Sequence, residues 1–129
     1  MSRNIANILW TKACHDFNAG SRIADANPED IGDQVLGLLL QQSVEKATKA
    51  LITAKNLKYS HTHDIHHLFQ LLAKKIEVPQ QFEDLIGLSM FATREKYESP
   101  ILPDRLDKQD LLNEVKAFLE WVAAAGNFN

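Results

Sequence analysis

Apolar residues recur at spacings of three and four along most of the 129-residue chain, and this period limits the possible folds more than any other feature. The clearest segment places Ile65, Leu68, Phe69, Leu72 and Ile76 at i, i+3, i+4, i+7 and i+11, which is one face of a helix. The sequence contains no stretch with the strict alternation of a half-buried strand. The pattern therefore predicts an all-α fold, an up-and-down four-helix bundle with an additional helix, as a single domain over residues 1–129.

Capping residues mark where the helices begin and end. We predict five helices, over residues 4–26, 27–56, 62–78, 79–97 and 107–126. Asn27 and Asp107 are expected N-caps of the second and fifth helices, and Gly126 is expected to stop the fifth. Thr62 is the expected N-cap of the third helix, which places Asp64 in its first turn near the positive end of the dipole.

The apolar stripes also predict which side chains form the core. The expected core includes Leu9, Phe17, Leu40, Val44, Leu51, Leu68, Leu72, Val115 and Phe118. The fourth helix is apolar nearly all round, and Trp121 lies off the core stripe of the fifth. Such features are typical of dimer or partner interfaces as well as of buried elements.

Composition narrows the class of protein. A hydrophobic fraction of 45% and a charged fraction of 24% are ordinary for a globular domain. The single cysteine, Cys14, cannot form an internal disulfide, and no signal-peptide pattern is seen, so a cytoplasmic location is expected. No apolar run reaches the length of a membrane helix, and a net charge of −3 argues against an extended nucleic-acid footprint.

Four histidines fall within seven residues, at positions 61, 63, 66 and 67. On a helix, His63 and His67 lie at i and i+4 and present a pair of imidazoles that one metal ion can bridge. A tetrahedral site needs further ligands, however, and the chain has neither a CxxC nor an HExxH motif. We therefore expect no metal site and no cofactor, and interpret the cluster as a polar helix face or as part of a pocket.

The predicted second helix carries an ordered polar stripe, which we call the α2 polar stripe: Gln42, Glu45, Lys46 and Lys49. Glu45 precedes Lys49 by four residues, the favourable order for a helical ion pair. One interpretation is a solvent-exposed face. The other is a groove in which the two lysines meet phosphate and Gln42 meets a base or ribose. The short connection over residues 55–60 is expected to bring His63 and Asp64 back towards Lys49.

These same residues carry a family resemblance. The segments "LQQSVEKATKAL" and "THDIHHLFQLL" resemble the HEPN (higher eukaryotes and prokaryotes nucleotide-binding) domain, in which a Q-Q-x-x-E-K-x-x-K-A helix precedes a T-H-D start. Upstream, "ACHDFNAG" is similar to the family's A-x-x-D-L-x-x-A pattern, with Asp16 at the acidic position. Downstream, Lys96 and Tyr97 resemble the basic-aromatic pair that often closes the fourth helix. The resemblance covers roughly residues 8–123.

The resemblance implies a helical bundle, usually a homodimer, that serves as a nucleotide- or substrate-binding accessory to a small nucleotidyltransferase. Other members of the family are metal-independent ribonucleases that act as toxins in toxin–antitoxin pairs. Those members share an arginine that is followed by four to six residues and then by a histidine. No such pair exists here, because Arg3 and Arg22 are followed by other residues and Arg94 and Arg105 lie beyond the last histidine, His67. The sequence also lacks a phosphate-binding loop and the paired aspartates of a nucleotidyltransferase.

We therefore expect no catalytic residues and favour a dimeric binding accessory. The alternatives are a toxin-type ribonuclease and a protein-interaction module without nucleotide binding. The candidate nucleotide- or partner-binding residues are Gln42, Glu45, Lys46, Lys49, His63, Asp64, Lys96 and Tyr97.

Overall fold

The computed structural model describes residues 2–26, 33–90 and 108–129. Its elements are α1 (Ser2–Ala26), α2 (Asp33–Ala54), α3 (Ile65–Leu72), a 3-10 helix (Gln80–Ser89) and α4 (Lys108–Gly126). No strand occurs in these ranges, so the prediction of an all-α fold is confirmed. The expected caps Asn27 and Asp107, the C-terminal part of the predicted fourth helix, and the loop after it lie outside the described residues.

Helix α2 is the central element and contacts each of the other described helices. Gly20 of α1 lies beside Leu36 and Leu40 of α2, and Ser43 donates a hydrogen bond of 2.8 Å to the carbonyl oxygen of Ala13. Because the later residue of α1 meets the earlier part of α2, the two helices are antiparallel. The small Gly20 lets them approach closely, since a Cβ atom there would already touch both leucines.

The end of α2 is formed by a left-handed asparagine. Asn56 has φ 62°, the amide of Leu57 donates to the carbonyl of Ile52 at 3.0 Å, and the amide of Asn56 donates to that of Thr53. These two bonds define a Schellman motif, which asparagine tolerates because its short polar side chain is compatible with a positive φ. The motif turns the chain back so that α3 packs against α2.

Helix α3 differs from the prediction at both ends. Its N-cap is Asp64, whose Oδ1 accepts a hydrogen bond from the amide of His66 at 3.0 Å, whereas Thr62 accepts one from the amide of Asp64. The expected N-cap, Thr62, was wrong by two residues, because Thr62 and Asp64 both carry a side-chain oxygen that can accept a hydrogen bond from a backbone amide without a helical partner. The helix ends at Leu72 rather than near residue 78. In the turns that follow, the amides of Lys74 and Lys75 donate to carbonyls three residues earlier, and Ile76 still packs on the core.

The predicted fourth α-helix is a 3-10 helix as far as residue 89. Its buried side chains, Phe82, Leu85 and Leu88, are spaced by three residues, and all three contact the core. A 3-10 helix has three residues per turn, so this spacing keeps the three side chains on one face. Gly87 is exposed, and a Cβ atom added to it would meet no other atom within 4 Å.

Helix α4 ends at Gly126, as expected, but for a different reason. Asn127, not Gly126, adopts the left-handed conformation, with φ 54°, and the amide of Phe128 donates to the carbonyl of Ala123 at 2.9 Å. The ring of Phe128 folds back over the helix end, where a Cβ atom on Gly126 would collide with it. Gly126 is therefore required by close approach and not by a positive φ.

The C-terminal residues are packed onto the start of α1. The rings of Phe128 and Trp10 stack with centroids 5.2 Å apart, and the guanidinium of Arg3 lies 4.7 Å from the Phe128 centroid. Arg3 also donates to the carbonyl oxygens of Gly126 and Asn127. These contacts join the two ends of the described chain.

The core agrees with the prediction except at its edge. Seven of the nine expected core side chains are buried, while Leu9 and Phe17 are only partly buried and pack against the core. Trp121 is half-buried rather than exposed, with its ring near Phe118 (5.9 Å) and Phe82 (6.2 Å). None of the described helices is both long and apolar enough to span a membrane.

Candidate functional site

The carboxylate of Glu45 is the centre of the polar cluster on α2. Its side chain is 5% exposed, and it accepts hydrogen bonds from Gln41 Nε2 (2.6 Å), Lys49 Nζ (2.9 Å) and His63 Nδ1 (2.9 Å). We call these four residues the Glu45 network. Burial favours the neutral acid, but the hydrogen bonds from Lys49, His63 and Gln41 and the charge of Lys49 outweigh it, so the pKa of Glu45 is lowered. The carboxylate is ionised at neutral pH.

The ion pair expected between Glu45 and Lys49 is present, but its setting differs from a solvent-exposed face. The side chain of Lys49 is 12% exposed, and its ammonium lies 5.2 Å from the ring centroid of Tyr59, in cation–π geometry. Lys49 is therefore held between a buried carboxylate and an aromatic ring. This part of the α2 polar stripe turned inward because α2 is covered on several sides.

Lys46 points towards α1 instead. Its ammonium forms a salt bridge of 2.7 Å with Asp16, and both side chains are partly exposed. Gln42, the remaining member of the stripe, is half-buried. Both lysines of the stripe are thus neutralised by a carboxylate from the protein.

The side chains of His63 and Asp64 have different partners in the structure. His63 precedes α3 and reaches the Glu45 carboxylate, so it shares that group with Lys49, as the chain reversal predicted. Its side chain nevertheless remains 58% exposed. Asp64 does not join the network, because its carboxylate caps α3 and is exposed. Lys96 and Tyr97, the other two expected site residues, lie outside the described residues.

Three contributing residues were not among the expected site residues. Gln41 is fully buried and donates to Glu45, Asp16 pairs with Lys46, and Tyr59 covers Lys49. The spacing of four residues between Gln41 and Glu45 indicates the first of these contacts. The acidic position in "ACHDFNAG" indicates the contact of Asp16. The contact of Tyr59 depends on the path of the connection after α2, which the sequence does not specify.

An open cavity of about 520 Å³ lies at the end of α2. Its lining includes Ile5 of α1, Asn56 and Leu57 of the Schellman turn, and Lys58 and Tyr59 of the following segment. Tyr59 belongs both to this cavity and to the cover of Lys49. Across residues 2–26, 33–90 and 108–129, no three His, Cys, Asp or Glu side chains come close enough to hold a metal ion.

Comparison with known proteins agrees with this architecture. The family model described as the HEPN domain matches residues 9–125, which is nearly the whole chain and includes the α2 polar stripe and the start of α3. The protein belongs to the HEPN domain family. No curated protein and no solved structure matches the chain significantly.

Proposed function

We propose that this protein is a non-catalytic, homodimeric HEPN domain that binds a nucleotide, or a nucleotide-bearing substrate, as a cytoplasmic accessory to a small nucleotidyltransferase. The observation that supports it best is the continuous line of contacts from His63 through Glu45 and Lys49 to Tyr59, which ends at an open cavity. About 520 Å³ is within the usual range of small-molecule sites. The free thiol of Cys14 suits a reducing cytoplasm.

Each lysine of the α2 polar stripe is paired with a carboxylate, and these ion pairs affect how such a ligand binds. Lys49 is matched by Glu45 and Lys46 by Asp16, so phosphate oxygens must share these ammonium groups with carboxylates or displace them. Sharing weakens the attraction, and we therefore expect modest affinity. Lys58, which lines the cavity and is exposed, adds a further positive charge near the site.

Intrinsic catalysis is not part of the proposal. The ribonuclease members of the family combine an arginine that holds phosphate with a histidine that moves a proton. In this sequence no arginine is followed by four to six residues and then by a histidine. We therefore expect the pure protein to leave RNA intact, and cleavage of RNA that disappears in His63→Ala would contradict the proposal.

Calorimetric titration with ATP tests the binding directly. The wild type is compared with Lys46→Ala/Lys49→Ala and with the control Lys74→Ala/Lys75→Ala, which removes two exposed lysines after α3. We expect the first double variant to lose binding and the control to keep it, after circular dichroism has shown that both are folded. Absence of wild-type binding at millimolar ATP would refute the nucleotide function.

A protein-interaction function is the second candidate, supported by four exposed aliphatic side chains. Ile5 and Ile8 on α1 and Val35 and Leu38 on α2 are each at least 39% exposed. Within each pair the spacing of three residues places the two side chains on one face of their helix, where they can contact a second copy or a partner. If Lys46→Ala/Lys49→Ala changes the oligomeric state while no nucleotide binds to the wild type, the polar stripe belongs to an interface instead.

A further inference from the structure

The Glu45 network determines which nitrogen of the His63 ring carries a proton. Glu45 is ionised, and an ionised carboxylate can only accept hydrogen bonds. Nδ1 of His63, 2.9 Å from Glu45 Oε1, must therefore be the donor. In the neutral ring this leaves the lone pair on Nε2, the nitrogen that does not contact Glu45.

The two lysines of the α2 polar stripe each form an ion pair. Asp16 on α1 and Lys46 on α2 cancel each other, and Glu45 and Lys49 on α2 do the same. The sum over these four groups is zero. The charge of the set therefore changes from zero to one positive charge when His63 takes up a proton.

Two further side chains lie next to residues of the Glu45 network. Asp64 carries a negative charge beside His63, but its carboxylate is turned to the amide of His66 at the positive end of α3. The ring of Tyr59 covers the ammonium of Lys49.

We propose that His63 is a proton-operated anion site, at which a phosphate group binds together with one proton taken up at Nε2. This inference rests on the proposed function and adds the ligand atom and its regulation. The imidazole is well placed for it, since Glu45 fixes one edge of the ring while the side chain is 58% exposed. The protonated ring then donates from Nε2 to a phosphate oxygen, a charge-assisted hydrogen bond. Proton uptake by the protein and anion binding are therefore coupled.

The expected dependence on pH follows from the fraction of protein in the competent form. If only protein with protonated His63 binds phosphate, the apparent affinity is proportional to the protonated fraction. We expect ATP to bind about tenfold more tightly at pH 5.5 than at pH 8. Adenosine, which lacks phosphate, should show no comparable change.

The test is calorimetric titration of the intact protein with ATP and with adenosine at both pH values, in two buffers with different heats of ionisation. The difference between buffers gives the number of protons taken up. Phosphate itself takes up a proton near pH 6, so the comparison with His63→Gln assigns the protein's share. Glutamine can still donate to Glu45, which preserves the fold. His67→Gln, an exposed histidine on α3, is the matched control and should behave as the wild type.

Nitrogen NMR of the histidine rings in the free protein tests the tautomer independently of any ligand. The neutral His63 ring should carry its proton on Nδ1, and a ring protonated on Nε2 would overturn the inference. ATP binding without proton uptake, or with the same uptake in His63→Gln, would overturn it while leaving the proposed function intact. Failure of ATP to bind at either pH would refute the proposed function and the anion site together.

Discussion

Replacement of Glu45 by glutamine tests whether the Glu45 network holds α2 and α3 together. The substitution keeps the shape of the side chain but replaces one acceptor oxygen by an amide that donates. In one orientation the amide faces the ammonium of Lys49, and in the other it faces the donors of Gln41 and His63. Either orientation places donors against each other in a site where the native side chain is only 5% exposed.

The expected loss follows from these contacts. The bond to Lys49 is charge-assisted, and its loss costs about 1.5–3 kcal/mol. Lys49, at 12% exposure, is then left without its counter-charge, which adds to the loss, although its flexible side chain can move towards solvent. The bond to the exposed His63 contributes under about 1 kcal/mol. We expect Glu45→Gln to lower the free energy of unfolding by about 2–4 kcal/mol at pH 7.

The assay is urea denaturation followed by circular dichroism at fixed protein concentration, with Glu120→Gln on the exposed face of α4 as the control. The control should change stability by no more than about 0.5 kcal/mol. Because the pKa of Glu45 is lowered in the folded state, its contribution is present above the carboxyl's unfolded pKa and is lost as pH falls through the folded value. The difference between wild type and Glu45→Gln should therefore shrink in acid. A loss as small as the control's, or a difference independent of pH, would refute the reasoning.

Three further predictions concern packing and assembly. Leu68→Ala should cost about 2–5 kcal/mol, measured by the same denaturation, because the native side chain is fully buried; a change as small as that of a surface substitution would remove α3 from the core. Gly126→Ala should destabilise by about 1–3 kcal/mol through collision with Phe128, whereas Gly87→Ala, which meets open space, should be neutral or stabilising by up to about 1 kcal/mol. Equal effects at the two glycines in thermal unfolding would contradict this account. Light scattering at micromolar concentration should give twice the 14.6 kDa chain mass, and the monomer mass would exclude the dimer.

Much of the fold follows from the sequence, because the apolar spacing of an amphipathic helix is local information. The stripe from Ile65 to Leu72 and the Glu45–Lys49 spacing each depend on a few neighbouring residues, and both have the predicted geometry. The start of α3 does not follow from local spacing. Thr62 and Asp64 each carry a side-chain oxygen that can cap the helix, and only the backbone path selects between them.

The tertiary structure alone decided which way the α2 polar stripe faces. Periodicity gives the relative angles of Glu45, Lys46 and Lys49, but not how much of α2 its neighbours cover. Since α1, α3, the 3-10 helix and α4 all pack on α2, Glu45 is buried, and its charge is compensated by contacts within the helix and from beyond it. The contact between Glu45 and His63 joins residues 18 positions apart, and the contact between Lys46 and Asp16 joins residues 30 positions apart. Such pairings depend on the path of the chain between helices, which no local pattern in the sequence encodes.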